Sequence, residues 1–273
     1  MKCKPFHLFL VLIALLSMSC NNYATTEKNV LLLGTVHTPT AKLNADSIYA
    51  VLHQWKPDII LMELDSSFFY DDFTYKTLFN GNEMIATVRY KMHFPNVAIR
   101  PIELTNRETL RDQLGVYPEI TTEFGTTLQE LANTNQLNEV EQKNLSQLFY
   151  YDSLINLLKQ ESLKVINTKK TDIIVDSLNF YKYVKLQEIA QNHSIFNTKQ
   201  LVDAKKDTVS ILDNFNLYVD FEMNKRNNAL ANNALTFIKN NPTKRILILV
   251  GFAHKSFIHS VLRKEQIDCQ VSL

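Results

Sequence analysis

Two of the five glycines in this chain stand three residues before a histidine, in Gly34-Thr35-Val36-His37 and in Gly251-Phe252-Ala253-His254. Each tetrapeptide directly follows an apolar run of strand length. A glycine at the end of a parallel strand lets the backbone turn tightly or approach a ligand, and the side chain three residues later then reaches the crevice beyond the strand ends. The repeated spacing therefore predicts that His37 and His254 belong to one site.

Two further apolar runs end on carboxylates. Glu63 ends the run that begins at Asp58, and Glu103 ends the run that begins at Val97. In a parallel sheet these side chains would meet the two histidines at one edge, and Arg226 could reach that edge from a long helix. Imidazoles with carboxylates suit a divalent metal ion, or a histidine base oriented by a carboxylate. A guanidinium beside them suits an anionic transition state or a substrate carboxylate.

The elements that would position these residues can be read from apolar patterning. Four runs have strand length and flanking breaks: Val30–Leu33, Asp58–Leu64, Val97–Leu104 and Arg245–Val250. They are continuous rather than alternating, which is typical of parallel strands covered on both faces. Helical spacing between the first two runs predicts a β-α-β unit, with Asn44 or Asp46 as the helix cap. We therefore predict an α/β fold with a mainly parallel central sheet flanked by helices.

Residues 107–241 contain few glycines and prolines and carry apolar side chains at helical spacing. This pattern predicts a large helical insertion between the third and fourth strands, whose longest helix runs from about Asp207 to Asn241. A short helix over Ala253–Arg263 and a last strand over Cys269–Leu273 complete the predicted domain, which spans residues 29–273.

Composition excludes several classes of protein. The chain has 29 Lys and Arg against 28 Asp and Glu, and no basic run, so we expect no nucleic-acid partner. Five glycines in 273 residues are too few for collagen or for glycine-rich linkers, and no Rossmann or P-loop fingerprint is present. Three cysteines, two of them in the first 20 residues, provide neither a disulfide framework nor a cysteine-rich zinc site.

The N-terminus has the pattern of a targeting segment. Lys2 and Lys4 precede an apolar run over residues 6–16, followed by small residues up to Cys20. This pattern is typical of a secretory signal. Its end on Ser-Cys resembles a bacterial lipoprotein signal, which implies a signal over residues 1–20, a lipid on Cys20 and a polar tether over residues 21–28. We therefore expect an exported lipoprotein, facing the periplasm or the cell surface, with the plain secretory signal as the alternative.

Aromatic residues follow Glu63 closely in the sequence. Phe68, Phe69 and Tyr70 lie beside the predicted rim of the sheet, and we expect this cluster to contact substrate, with a packed loop as the alternative.

Five short motifs together resemble a known family. They are Gly-Thr-Val-His at 34–37, Pro57-Asp58 before Glu63, Ile-Glu-Leu at 102–104, Lys-Arg-Asn-Asn at 225–228 and Val-Gly-Phe-Ala-His at 250–254. Their order and spacing resemble the TraB/PrgY/GumN family and the animal Tiki proteins, in a clan that also includes erythromycin esterases and ChaN-type haem-binding lipoproteins. Lys225 stands where the family has Glu. Ala253 and Lys255 also depart from the family pattern around the second histidine.

The resemblance implies a metal-dependent hydrolase, possibly a protease. By that resemblance His37, His254 and Glu63 would hold Mn, Co or Zn, Glu63 and Glu103 would act as catalytic carboxylates, and Arg226 would stabilise the oxyanion. Its substrate would be a peptide or a small molecule. Two alternatives stay open: a haem- or metal-binding lipoprotein without turnover, and an esterase-like hydrolase that needs no metal. The sequence does not indicate the oligomeric state.

Overall fold

A parallel five-stranded sheet forms the centre of the protein, as a computed structural model of residues 29–273 shows. The strand order is β3-β2-β6-β1-β7. Every neighbouring pair in this sheet is parallel, which confirms the predicted fold class. The predicted signal, Cys20 and the tether lie outside the described residues. The sheet strands are β1 Val30–Thr35, β2 Ile59–Met62, β3 Ala98–Pro101, β6 Ile246–Gly251 and β7 Cys269–Gln270.

Both faces of the sheet are covered, because alternate strand residues point to opposite sides and nearly all of them are apolar. One face, which includes Leu31 and Leu33, packs on α1 (Ala45–Trp55) and α2 (Asn82–His93). The other face, which includes Leu32, packs on α11 (Asn227–Asn240) and α12 (Phe252–Lys264).

The segment between β3 and β6 is mostly helical and has a hydrophobic core of its own, in which the Phe124 and Phe215 rings stack at 3.9 Å between centroids. Two π-helical stretches, Phe180–Lys185 and Asp220–Arg226, continue the helices that precede them. The helices of this segment before α11 are α3 Arg107–Leu114, α4 Ile120–Asn133, α5 Glu139–Leu158, α6 Leu163–Ile166, α7 Lys169–Asn179, α8 Leu186–Asn192, α9 Ile195–Thr198 and α10 Ile211–Val219.

The prediction of an uninterrupted run of helices was wrong at one place. Strands β4 (Gln200–Val202) and β5 (Thr208–Ser210) form an antiparallel hairpin. The Asp203 carboxylate accepts backbone N–H groups from Lys205 and Asp207, which fixes the turn. The long helix consequently begins at Ile211 rather than near Asp207.

The boundaries of other elements also differ from the prediction. Strands β2, β3 and β7 are each shorter than the apolar runs that predicted them, so Glu63 and Glu103 lie just beyond their strands. Of the two predicted caps of α1, Asn44 is the one used: it accepts from the backbone N–H of Ser47 in a capping box.

Asn167 joins the helical segment to the central strand β1. Its side-chain oxygen accepts the N–H of Gly34 at 2.7 Å, and its side-chain nitrogen donates to the Gly34 carbonyl at 2.8 Å. A Cβ on Gly34 would lie 3.2 Å from the Asn167 oxygen and 3.0 Å from Phe252. Close packing therefore disfavours a side chain at Gly34, the glycine of the first motif. Asn167, whose side chain bonds to it, is buried.

None of the helices among residues 29–273 has the length and apolar character needed to cross a membrane.

We expect Asn167→Ala to lower the free energy of unfolding by about 2–4 kcal/mol, because it leaves the buried N–H and C=O of Gly34 without partners. Urea unfolding of this variant measures the loss. Asn156→Ala removes an exposed side-chain bond to Asp152 and serves as the control, with a change within about 0.5 kcal/mol. Equal stability of the two variants would contradict this role for Asn167.

Candidate functional site

His37 follows the carboxyl end of β1 on a short loop that α2 holds in place. The backbone N–H of Asn82 donates to the His37 carbonyl at 2.9 Å, and the Asn82 side chain donates to the Val36 carbonyl at 2.7 Å. The backbone on both sides of the His37 side chain is therefore tied to the first turn of a helix, while the imidazole itself is 60% exposed.

Glu83, also in the first turn of α2, sets the orientation of the His37 ring. The Nδ1 atom of His37 lies 3.0 Å from the Glu83 carboxylate, which also accepts the Thr35 hydroxyl. The hydrogen bond to Glu83 raises the pKa of His37. Burial alone would raise the pKa of Glu83, but the bond to His37 and the nearby imidazole charge hold it below its usual value. In the neutral ring the bond to Glu83 places the proton on Nδ1 and leaves Nε2 for other contacts.

His254 lies in the first turn of α12, and a different side chain orients it. Its Nδ1 atom is 2.7 Å from the side-chain oxygen of Asn227, so Nδ1 carries the proton. Its Nε2 atom lies 3.4 Å from the Glu63 carboxylate. Burial lowers the pKa of His254, which favours the neutral ring with a lone pair on Nε2. Each histidine therefore uses Nδ1 to hold its ring and keeps Nε2 for the site.

Glu63 lies between these groups. One of its oxygens accepts the Gly251 N–H at 2.6 Å, at the N-terminus of α12, and the other accepts from Arg226 at 2.7 Å. Burial alone would raise the pKa of Glu63, but His254 and Arg226 outweigh it and lower the pKa. The positive end of the helix also favours a carboxylate at this position. Glu63 is therefore ionised at neutral pH.

Gly251 allows the close approach of these side chains. A Cβ on this residue would lie 3.3 Å from His37 Nε2 and 3.4 Å from a Glu63 oxygen. Its backbone φ of −53° is open to any residue, so no special turn requires the glycine, and an added Cβ would meet the ends of these two side chains. The side chains of His37 and Glu63 therefore both approach the end of β6 at Gly251.

Arg226, the last residue of a π-helical stretch, is bonded to three carboxylates. It donates through Nε and Nη2 to Glu103 at 3.0 and 2.8 Å, through Nη2 to Glu63, and through Nη1 to Glu222 at 3.2 Å. Burial lowers the pKa of Arg226, but these carboxylates outweigh it and raise the pKa above its usual value. Four of the five guanidinium N–H groups are thus engaged, so a substrate oxyanion has one to bind without displacing a carboxylate.

Glu103 is only 3% exposed and lies behind Arg226. Arg107 donates to the same oxygen at 3.2 Å, and the backbone N–H of Leu104 donates to the other at 2.8 Å. A carboxylate held in this way positions Arg226. Both Glu63 and Glu103 are almost fully buried: Glu103 lines only the second cavity described below, whereas Glu63 lines both.

The first cavity has a volume of about 440 Å³ and opens beyond the carboxyl ends of β1, β2 and β6. A second cavity of about 390 Å³ adjoins it and shares Glu63, Leu64 and Arg107 in its lining. This volume is in the range of small-molecule sites. The first cavity is lined by His37, Glu63, Glu83, Arg226 and His254, with Met62, Leu64, Phe79, Gly81, Met84, Arg107 and Leu249 as its remaining residues.

Negative charge exceeds positive charge in and directly behind this cavity. The two guanidiniums, Arg107 and Arg226, contact the site, and the carboxylates are Glu63, Glu83, Glu103 and Glu222. A neutral His254 leaves this excess in place, and protonation of His37, whose pKa is raised by the bond to Glu83, would reduce it from two charges to one. Such a site attracts a cation.

The predicted aromatic contacts divide between surface and core. Phe69 is 4% exposed and packs in the sheet core against Tyr75, so it is not available to a substrate, and this part of the prediction was wrong. Phe68 and Tyr70 are exposed. Phe68 lines the second cavity and packs edge-to-face on Phe79, which lines the first.

The structure brings together all five polar residues that the motifs indicated: His37, Glu63, Glu103, Arg226 and His254. Sequence reasoning missed Glu83, Asn227 and Glu222. Glu222 lies four residues before Arg226, so helical spacing could have indicated it. Asn227 directly follows Arg226, and adjacent helical residues do not face each other, so spacing did not indicate its contact with His254. Glu83, an acidic residue in the first turn of a predicted helix, gave no sign that it would face His37.

The donors present fit a divalent ion in type, since two imidazole Nε2 atoms face a carboxylate. These donors are not yet arranged as a complete set of metal ligands. Among residues 29–273, no three His, Cys, Asp or Glu side chains are grouped closely enough to hold a metal ion. Glu63 is also engaged by Arg226 and Gly251. An ion would therefore need a small rearrangement, for which the exposed ring of His37 has room.

Comparison with known proteins adds no relative. The chain matches no family model, no curated protein and no solved structure.

We expect Arg226→Met to lower the free energy of unfolding at pH 7 by about 3–5 kcal/mol, because it leaves buried carboxylates without a counter-charge. Adding Glu103→Gln should recover part of this loss, since one uncompensated charge disappears. Chemical denaturation measures both effects.

Lys225→Met is the matched control, because Lys225 pairs with Asp220 on the surface, and it should change stability by less than about 1 kcal/mol. If the double variant is no more stable than Arg226→Met, buried charge at Glu103 is not the cause of the loss.

Proposed function

We propose that this protein is a hydrolase that binds a divalent metal ion between His37, His254 and Glu63. The observation that carries the proposal is the shared orientation of the two histidines. Each has Nδ1 bonded to an oxygen of a neighbouring side chain, Glu83 or Asn227, and each presents Nε2 towards Glu63 and its surplus negative charge. Metal-binding histidines have this second hydrogen bond in almost all proteins.

The motif order that resembles the TraB/PrgY/GumN family supports the same proposal. In that family the two GxxH histidines and the glutamates are described as the metal and catalytic positions, and in this fold they occupy one edge of the sheet. We propose membership on this basis, with Mn, Co or Zn as the ion and a peptide or small-molecule ester or amide as the substrate.

In the proposed reaction the residues of the chain have separate tasks. A divalent ion, when bound, supplies Lewis acidity that polarises a substrate carbonyl and acidifies water. His37, His254 and Glu63 hold it, and Glu83 and Asn227 fix the two rings. Arg226 holds Glu63 in place and offers its remaining Nη1–H to developing negative charge. Glu103 acts through Arg226, as a positioning residue.

A metal-independent hydrolase is the second candidate, and one observation favours it. His37 is exposed at the cavity, and the Glu83 carboxylate orients its ring from behind, which is the arrangement of a general base with its orienting acid. In this mechanism His37 Nε2 would take a proton from water or from a substrate hydroxyl, and the imidazolium would be stabilised by Glu83.

We further propose that the chain is a bacterial lipoprotein attached to a membrane through Cys20, with residues 21–28 as its tether. The Ser-Cys end of the signal-like segment supports this assignment.

Metal content tests the first candidate. We expect near-stoichiometric Mn, Co or Zn in the protein after loading and gel filtration, and loss of most of it in His37→Ala and in His254→Ala, because each removes one nitrogen ligand. Mass spectrometry of the purified protein measures the metal. His53→Ala, which changes an exposed histidine of α1, is the control and should retain the metal.

A folded wild-type protein that takes up no metal would contradict the proposal. If it nevertheless hydrolyses model esters in the presence of a chelator, and His37→Ala abolishes that activity, the metal-independent mechanism would replace it.

The two orienting residues give a separate prediction. Glu83→Ala and Asn227→Ala should each weaken metal binding about 10–100-fold, because the rings lose the hydrogen bonds that set their orientation. Titration with Co²⁺, followed by its visible absorption, measures the affinity. Glu222→Gln changes a carboxylate of Arg226 that contacts neither ring, so it serves as the control and should leave the affinity within about threefold. A loss as large as that of Glu83→Ala would show that charge, and not ring orientation, controls binding.

A further inference from the structure

The chain enters the fold at the edge of the sheet opposite to the candidate site. Asn29 directly precedes β1, and its carbonyl accepts the N–H of Ile246, the first residue of β6. In a parallel sheet all amino ends lie at one edge and all carboxyl ends at the other. The residues that precede Asn29 therefore join the protein at the amino edge, whereas His37, Glu63 and His254 lie at the carboxyl edge.

The amino edge is rich in exposed cations, because the helices that return to it end in basic residues and the loop before β6 adds more. Arg263 and Lys264 lie in the last turn of α12, and Lys239 in the last turn of α11. The nearby carboxylates are Asp58, Glu265 and Asp268. We name as the basic edge the exposed residues Lys56, Lys239, Lys244, Arg263 and Lys264.

Ion pairs with neighbouring carboxylates reduce this charge without cancelling it. Lys239 pairs with Glu265 at 2.7 Å, and Lys244 lies 4.0 Å from Asp58. The partial negative charges of the helix C-termini also lie at this edge, but their effect is confined to the last turn. Lysine and arginine side chains extend beyond those carbonyls, so an approaching surface meets the cations first.

Exposed apolar side chains lie at the same edge. Met92, near the end of α2, is 77% exposed, and Phe94, which follows that helix, is also exposed. The N–H of Ala98, at the start of β3, donates to the carbonyl of Asp58, which places the α2–β3 connection beside the start of β2. Cations with a few apolar side chains between them are the composition of a surface that lies on a lipid bilayer.

We propose that the basic edge docks on an anionic lipid bilayer. Charge complementarity gives the attraction, and each basic residue near such a surface adds to it. The orientation agrees with the point at which the N-terminal residues join the fold, yet the docking does not require a lipid on Cys20 or a metal in the cavity. Docked in this way, the protein opens its cavity away from the bilayer and takes its substrate from the aqueous side.

The single tryptophan of the chain gives a probe of this docking. Trp55 is the last residue of α1, directly before Lys56, and the Arg245 guanidinium lies 4.6 Å from the centre of its ring. Its fluorescence therefore reports on the basic edge itself.

The test uses the chain from Asn21 onwards, which carries no lipid and contains every residue that the structure describes. In a flotation assay we expect it to bind phosphatidylglycerol vesicles, to dissociate from them at high salt, and not to bind phosphatidylcholine vesicles. In the bound state we expect acrylamide to quench the fluorescence of Trp55 less than in the free protein. Lys244→Glu with Arg263→Glu and Lys264→Glu should weaken binding at least about tenfold.

The control makes the same charge change elsewhere, with Lys143→Glu, Lys164→Glu and Lys170→Glu on exposed positions of α5, α6 and α7, and should bind as the wild type does. Circular dichroism checks that both triple variants fold, and Lys264→Glu alone should show a smaller loss in the same direction. Equal binding to the two lipids, no binding to either, or equal losses in the two triple variants would overturn the proposal. So would tight binding of soluble polyphosphate at the basic edge, which would assign it to a dissolved polyanion.

Discussion

The burial of one guanidinium group fixes the relative positions of the residues around the candidate site. Arg226 is 13% exposed and lies among Glu63, Glu103 and Glu222, which come from the ends of two strands and from its own helix. None of these charges is tolerable alone in such a position, because an unpaired buried ion is far costlier than a pair with good hydrogen bonds. The long helix that carries Arg226 must therefore pack where its side chain reaches both strand ends. That requirement fixes Glu63, and through Glu63 the space that His37 and His254 share.

The sheet and the motif residues could be predicted from the sequence because both depend on short patterns. Continuous apolar runs indicated parallel strands, and a parallel sheet brings every residue just after a strand to one edge. His37, Glu63 and His254 could thus be grouped although they are far apart in the sequence. The repeated glycines gave the same information, since both lie at strand ends that neighbouring residues approach closely: an added Cβ would lie 3.0 Å from Phe252 at Gly34 and 3.3 Å from the His37 ring at Gly251.

Other features depend on contacts that have no local pattern. Glu83 and Asn227 orient the two histidines from elements distant in sequence, and nothing in the spacing of α2 indicated that its first turn would contact the β1 loop. The hairpin at residues 200–210 depends on the Asp203 side chain, whose hydrogen bonds stabilise a turn within a segment that is otherwise mostly helical. Phe69 was expected to contact substrate because it follows Glu63 closely at the rim of the sheet, but it is buried in the core while the adjacent residues Phe68 and Tyr70 are exposed.

The α/β topology also separates two kinds of surface along the strand direction. Helix N-termini and the strand ends meet at the carboxyl edge, where the carboxylates collect around Arg226 and where Gly251 N–H binds Glu63. Helix C-termini meet at the amino edge, where cations such as Lys264 and Lys239 are favoured. The net charge of +1 does not reveal this separation, because it sums the charges of the anionic site and of the basic edge. Under the proposed attachment through residues that precede β1, the same polarity that stabilises the helices would also direct the cavity away from the point of attachment.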